Sequence, residues 1–212
     1  MRVAIYGGTF DPVHDAHLAV ASEAYRACAL DRVLFVPASD PPHKRSGTGA
    51  GYEDRYRMVE LACSGRPEFE ASRLEAPPAG EGEGGYSYSI LTIEKILERR
   101  PGGECFFLIG ADAFAEIRTW RRWEDVIRLV EFIVVSRPGH TYHIPPGARV
   151  HRLEWLRLAV SSSDIRRRLH EREAVPELPP AVLAYILARG LYRDPERANG
   201  PGPDCNGLRC MR

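Results

Sequence analysis

The stretch Gly7-Gly8-Thr9-Phe10-Asp11-Pro12-Val13-His14-Asp15-Ala16-His17 constrains this chain more than any other. A short apolar run, Val3 to Tyr6, precedes it, and a helical pattern follows. A glycine turn between strand and helix aims backbone N–H groups and the positive helix end at one spot. Gly7 and Gly8 permit the tight turn and let a phosphate approach the backbone. Asp11-Pro12 sets a second bend. His14 and His17 stand on one side of the first helical turn, where both can donate hydrogen bonds to phosphate oxygens. The pattern points to nucleotide-phosphate chemistry at an α/β switch point.

Strands are expected at Val3–Tyr6, Arg32–Val36, Cys105–Ile109, Phe132–Ser136 and Leu156–Val160. The first four are short and apolar, as strands buried on both faces should be. Helical spacing predicts His17–Ala29, Tyr52–Cys63, Ser89–Arg99, Trp123–Val130, Ser163–Leu169 and Pro180–Arg189. Pro180 fits the first turn of the last helix, and Gly190 fits its stop. Such alternation implies an α/β fold: a Rossmann-like, doubly wound, mainly parallel sheet with helices on both faces. The length of 212 residues suits one domain, 1–193, whose C-terminal helical part starts at about 161. Asp194 to Arg212 lacks periodicity and is expected to be a disordered tail. Lys44–Gly51 and Ala76–Gly85 read as loops, the first suited to binding and the second a tolerated insertion.

Positive and negative side chains balance at 29 each, so no overall field favours a nucleic acid polymer. Five scattered cysteines argue for a reducing compartment. No leader is evident, and no apolar run approaches the ~20 residues that a membrane helix needs. A cytoplasmic protein without membrane contact is the expectation, and a homo-oligomer is left open. His14-x-x-His17 and His140-Thr-Tyr-His143 have chelating spacing. Neither belongs to a His-Glu-x-x-His pattern, and a protein-held metal is not expected.

A second motif, Ser161-Ser162-Ser163-Asp164-Ile165-Arg166, precedes a helical run. Its serines can cap that helix and offer hydroxyls to phosphate, and Arg166 in the first turn can clamp a β- or γ-phosphate. Taken alone, this is an ordinary capped helix. With the first motif, it resembles the nucleotidyltransferase superfamily with a His-x-Gly-His signature and an Ile-Ser-Ser-Thr-x-Ile-Arg motif. Pro41-Pro42-His43-Lys44, Tyr86-Ser87-Tyr88-Ser89, Gly110-Ala111-Asp112, Trp120, Arg137-Pro138-Gly139 and Leu191-Tyr192 are similar to one branch, the bacterial nicotinate-nucleotide adenylyltransferases. The resemblance runs from about Arg2 to Arg193.

It implies adenylyl transfer from ATP to nicotinate mononucleotide, giving deamido-NAD and pyrophosphate, with Mg²⁺ on the triphosphate and no covalent enzyme intermediate. Carried onto this sequence, His14, His17, Lys44 and Arg166 would be catalytic. Gly7, Gly8, Thr9, Phe10, Gly110, Asp112, Ser162, Ser163 and Arg137 would bind ATP. Tyr88, Ser89 and Trp120 would receive nicotinate mononucleotide, with Trp120 stacking on the ring and Ser89 near the carboxylate.

Two positions depart from that pattern. Ala16 stands where the signature has glycine, a small intrusion that favours the helix. Arg121 stands where many relatives carry an aromatic. The rival readings are a transferase for nicotinamide mononucleotide or phosphopantetheine, and a non-catalytic nucleotide sensor on the same fold.

Overall fold

Side chains alternate across a β-strand. In the computed structural model of the chain, which describes residues 1–39, 49–77, 88–136, 139, 141–154 and 160–193, that alternation divides the interior into two cores. Among the described residues six strands form one sheet: β1 (Arg2–Gly8), β2 (Arg32–Pro37), β3 (Phe69–Ala71), β4 (Glu104–Gly110), β5 (Glu131–Ser136) and β6 (Arg149–Glu154). Every pairing is parallel, in the order β3-β2-β1-β4-β5-β6. The helices are α1 (Asp15–Ala27), α2 (Tyr52–Cys63), α3 (Ser89–Arg99), α4 (Ala111–Ala115), α5 (Trp123–Leu129), α6 (Ser162–His170) and α7 (Pro180–Arg189), with a 3₁₀ turn at Ile117–Thr119.

Ala4, Phe35, Phe106 and Ile133 face one core, where Leu18 of α1, Met58 of α2, Ile165 of α6 and Ile186 of α7 meet them. Their neighbours Val3, Ile5, Leu34, Phe107 and Phe132 face the other, against Ile93 of α3, Phe114 of α4 and Val126 of α5. Each strand is thus covered on both sides, which is why its sequence reads as nearly continuous apolar residues. Burying one such side chain is worth roughly 1.5–3 kcal/mol.

The chain changes face between β3 and β4, so the connections leaving the adjacent strands β1 and β4 go to opposite sides of the sheet. In doubly wound sheets the crevice so created, beyond the carboxyl ends of the strands, is where ligands bind. Tyr6 pairs with Leu108. Gly7-Gly8 and Gly110, two residues further along each strand, therefore end at the same rim. The last helix is held to α2 through Asp54, which accepts from the Tyr185 hydroxyl at 2.7 Å and Arg189 Nε at 3.2 Å.

The α/β architecture agrees with the sequence expectation, and the sheet is wholly rather than mainly parallel. Several elements differ. Helix α1 begins at Asp15, not His17, because His14 itself is the N-cap. Strand β3, helix α4 and the 3₁₀ turn, each of five residues or fewer, are too short to show a period. Among the described residues the last strand is Arg149–Glu154; of the expected Leu156–Val160, residues 156–159 fall outside the described residues and Val160 lies outside any strand. Only Leu153 of β6 is buried. It is an edge strand with polar exposed positions, as edges tend to be, and a search for continuous apolar runs passes over it. Residues 40–48, 78–87 and 194–212, which hold most of the expected loops and the whole tail, also lie outside the described residues. Among the described residues no helix is long and apolar enough to cross a membrane.

Candidate nucleotide-phosphate site

At the end of β1 the backbone turns through Phe10, whose φ is +49°. Its ring is buried, edge-on to Tyr6 at 5.5 Å and tilted against Phe35 at 5.6 Å. A Cβ on Gly8 would meet that ring at 3.0 Å, so any other residue here would have to push the buried ring aside by a few tenths of an ångström. The Phe10 side chain belongs to the core, and only its backbone is left to serve a nucleotide. A cis peptide between Asp11 and Pro12 completes the second bend.

His14 then caps α1 in an extended conformation. Its backbone N–H donates to His17 Nδ1 at 3.2 Å. A nitrogen that accepts carries no proton, so neutral His17 holds its hydrogen on Nε2 and is a donor there. The two rings stack with centroids 3.8 Å apart. Burial pulls the His14 pKa down to about 4, against a smaller opposing pull from Glu177. His17 is shifted well below the usual range by burial and then by His14. Both are neutral at pH 7, and the helix N-terminus also disfavours an imidazolium here.

These shifts have a consequence for stability. The unfolded chain takes up protons at its histidines near pH 6.5, whereas folded His14 resists until about pH 4. The unfolded state therefore binds more protons in that window, and stability must fall as pH drops from 6.5 toward 4. The His14 contribution is roughly 3 kcal/mol, fully present above pH 6.5. Urea unfolding at pH 7.5 and pH 5 checks it, and equal stabilities would contradict the burial of these rings.

The second motif arrives at the same place. Ser161 Oγ caps α6 by accepting from the Asp164 N–H at 3.1 Å. Ser162 Oγ donates to the Pro12 carbonyl at 3.0 Å, and Arg166 Nη1 donates to the Asp11 carbonyl at 2.7 Å. Arg166 Nη2 also reaches Ser163 Oγ at 3.2 Å. The serine–arginine turn is thus bonded directly to the loop that delivers His14 and His17, although the motifs are about 150 residues apart. Ala16, beside them in the first turn of α1, is buried.

Two charged side chains that the sequence reading did not select hold this loop. Arg55 is wholly buried. Its guanidinium donates to the carbonyls of Thr9 (2.9 Å), Ala38 (2.8 Å), Ser39 (3.1 Å) and Ala50 (3.1 Å), tying the ends of β1 and β2 to the start of α2. Asp11, also buried, accepts from the N–H groups of Gly49 (2.8 Å) and Ala50 (3.1 Å) and from the Tyr192 hydroxyl (2.7 Å). Its Oδ2 lies 3.6 Å from Arg166. Arg55 did leave a signal, since it shares the buried stripe of α2 with Tyr52, Met58, Val59 and Ala62. An arginine at a core position needs a reason.

The expected acceptor side lies on the opposite face of the sheet. Helix α3 leads into β4, so its own N-terminus, with Tyr88 as N-cap and Ser89 first in the helix, returns to the rim where Gly110 ends β4. Exposed Asp112 stands in the first turn of α4. Half-buried Trp120 sits edge-on to Phe107 at 5.6 Å, and the Arg121 guanidinium covers the Tyr88 ring at 4.7 Å. Lys44 and Arg137 lie outside the described residues, as do Pro41–His43, Tyr86, Ser87, Pro138 and His140. Among the described residues no three His, Cys, Asp or Glu side chains stand close enough to hold a metal.

Residues 5–168 match the family described as cytidylyltransferase-like. A protein of Solibacter usitatus named "Probable nicotinate-nucleotide adenylyltransferase" is 58% identical over 91% of this chain and 100% of its own length. A protein of the same name from Frankia casuarinae is 44% identical, over 88% of this chain and 98% of its own. Among solved structures, Plasmodium falciparum nicotinic acid mononucleotide adenylyltransferase complexed with NaAD has a similar fold, with a TM-score of 0.70. It is 20% identical and covers 90% of this chain and 97% of its own.

Proposed function

Because the chain belongs to the cytidylyltransferase-like family, among relatives named nicotinate-nucleotide adenylyltransferase, we propose that the site at the β1 and β4 ends runs their reaction with the residues described above. The enzyme transfers the adenylyl group of ATP to nicotinate mononucleotide. A phosphate oxygen of the mononucleotide attacks the α-phosphorus, the bond from that phosphorus to the β-bridging oxygen breaks, and pyrophosphate leaves with those electrons. The product is deamido-NAD, and the reaction belongs to NAD biosynthesis.

The nucleophile is already an anion, so no strong base is required. Catalysis is then placement of two polyanions and neutralisation of developing charge. The observation that carries this reading is the bonding of the serine–arginine turn to the histidine loop. His17 donates from Nε2 and His14 from its ring to the phosphate undergoing transfer. Arg166 and the backbone N–H of Ser162 at the start of α6, whose hydroxyl hydrogen is already given to the Pro12 carbonyl, hold the β- and γ-phosphates as they leave. Gly7, Gly8, Thr9 and the Phe10 backbone give the chain close approach to ATP, Asp112 takes ribose hydroxyls, and Ser163, Lys44 and Arg137 complete the nucleotide contacts. Trp120 stacks on the nicotinate ring, with Tyr88 and Ser89 at its carboxylate.

Bound with the triphosphate, Mg²⁺ would offset its charge. Magnesium bound with phosphates commonly takes most of its ligands from substrate and water.

Product analysis with ATP, Mg²⁺ and each mononucleotide in turn tests the acceptor. Deamido-NAD should form at least about 10-fold faster than NAD, the discrimination that one well-placed charge contact supplies. Faster NAD formation would make the amide mononucleotide the true acceptor, and no pyrophosphate release with either would favour a nucleotide sensor.

A further inference from the structure

A carboxylate beside a triphosphate site repels its ligand, yet Asp11 is buried there with its side chain wholly inaccessible. A buried charge persists only when its partners satisfy it. Among those partners is a residue outside both motifs, Tyr192, which also lies beyond the span 5–168 of the family match. The chain leaves α7 through Gly190 at φ +63° and then holds Tyr192 itself at φ +62°. That conformation is unfavourable for a residue with a Cβ, so something in the surroundings holds Tyr192 there. Its hydroxyl on Asp11 Oδ1 at 2.7 Å supplies that restraint.

The same phenol ring packs on Gly49 beside the Arg166 stem. A Cβ at Gly49 would meet Arg166 Cδ at 2.9 Å and Tyr192 Cε1 at 3.0 Å. Arg166 in turn commits Nη1 to the Asp11 carbonyl and one Nη2 hydrogen to Ser163 Oγ. A guanidinium is a rigid planar fork, so fixing these positions fixes the direction of the remaining N–H groups.

We propose that Tyr192 is a positioning residue of the transfer site: through the buried Asp11 carboxylate it fixes the Arg166 guanidinium for the departing pyrophosphate. The proposal rests on the adenylyltransferase reading above. It makes the C-terminal segment part of the phosphate site instead of a mere cover for the sheet.

The test is Tyr192→Phe in the full chain, which removes one oxygen and keeps the ring. Pyrophosphate with Mg²⁺, titrated by calorimetry, should bind about 10-fold more weakly, and turnover should fall about 10-fold, as for one charge-assisted hydrogen bond. The KM for nicotinate mononucleotide should stay within about 2-fold, since that substrate meets other residues. On an Arg166→Ala background the same change should have almost no further effect on turnover, because the two act as one unit. Gly49→Ala, whose Cβ would press on the Arg166 Cδ and the Tyr192 ring together, should weaken pyrophosphate binding in the same direction.

Wild-type pyrophosphate affinity in both Tyr192→Phe and Gly49→Ala, or an undiminished Tyr192→Phe effect without Arg166, would overturn the proposal. Pyrophosphate titration needs no acceptor. An unexpected acceptor would therefore overturn the substrate assignment while leaving this result readable.

Discussion

Replacing His17 by alanine will lower turnover by roughly 10²–10³-fold, the usual cost of losing one donor that acts on transition-state charge. Its Nδ1 accepts the His14 N–H, which presents Nε2–H in a single tautomer. Burial keeps the ring neutral, so the donor is a fixed dipole and not a titrating cation. The ring is also held edge-on to Phe10 at 5.1 Å and to Tyr6 at 6.1 Å, so little reorganisation is needed when charge develops. The ATP KM should change by no more than a few-fold, because an interaction made in the transition state appears in kcat. His17→Asn, which retains an N–H donor, should recover part of the loss. Steady-state kinetics on the three proteins decides the matter, and near-normal turnover in the alanine variant would remove His17 from the mechanism.

The largest effect on stability is expected at Arg55. Substitution by methionine, similar in length and apolar, will destabilise the fold by about 3–5 kcal/mol. The four carbonyls it serves lie in three separate segments, and methionine satisfies none of them. Two of them, Thr9 and Ala38, follow the carboxyl ends of β1 and β2, so activity should fall even in the folded fraction. Urea denaturation measures the first effect, and turnover per folded molecule measures the second. A loss below about 1 kcal/mol would mean that water or neighbouring groups replace the guanidinium without penalty.

What the sequence revealed and what it concealed follow from the range of the interactions. Strands β1, β2, β4 and β5 are buried on both faces, so their apolar runs are local signals. Helices α2, α3 and α7 carry strong apolar stripes, and their limits coincide with those read from spacing. Strand β6 is an edge, and α4 is a single turn whose shape depends on Phe114 packing against Phe132 at 5.0 Å. Neither announces itself locally.

The same holds within the site. The glycines, histidines, serines and Arg166 sit in two compact motifs. Asp11 was legible as a turn residue, but its partners Gly49, Ala50 and Tyr192 come from segments distant in sequence. Arg55 was visible as a charge on an apolar stripe, and only the tertiary fold shows that its ligands are carbonyls.

For this chemistry one triphosphate must touch both motifs at once. The most direct measurement is a crystal structure of the protein with Mg²⁺ and an ATP analogue that cannot release pyrophosphate. The α-phosphate is expected within hydrogen-bonding distance of His17 Nε2, and the β- and γ-phosphates on Ser162 and Arg166. Phosphates bound to one motif with the other left facing solvent would contradict it.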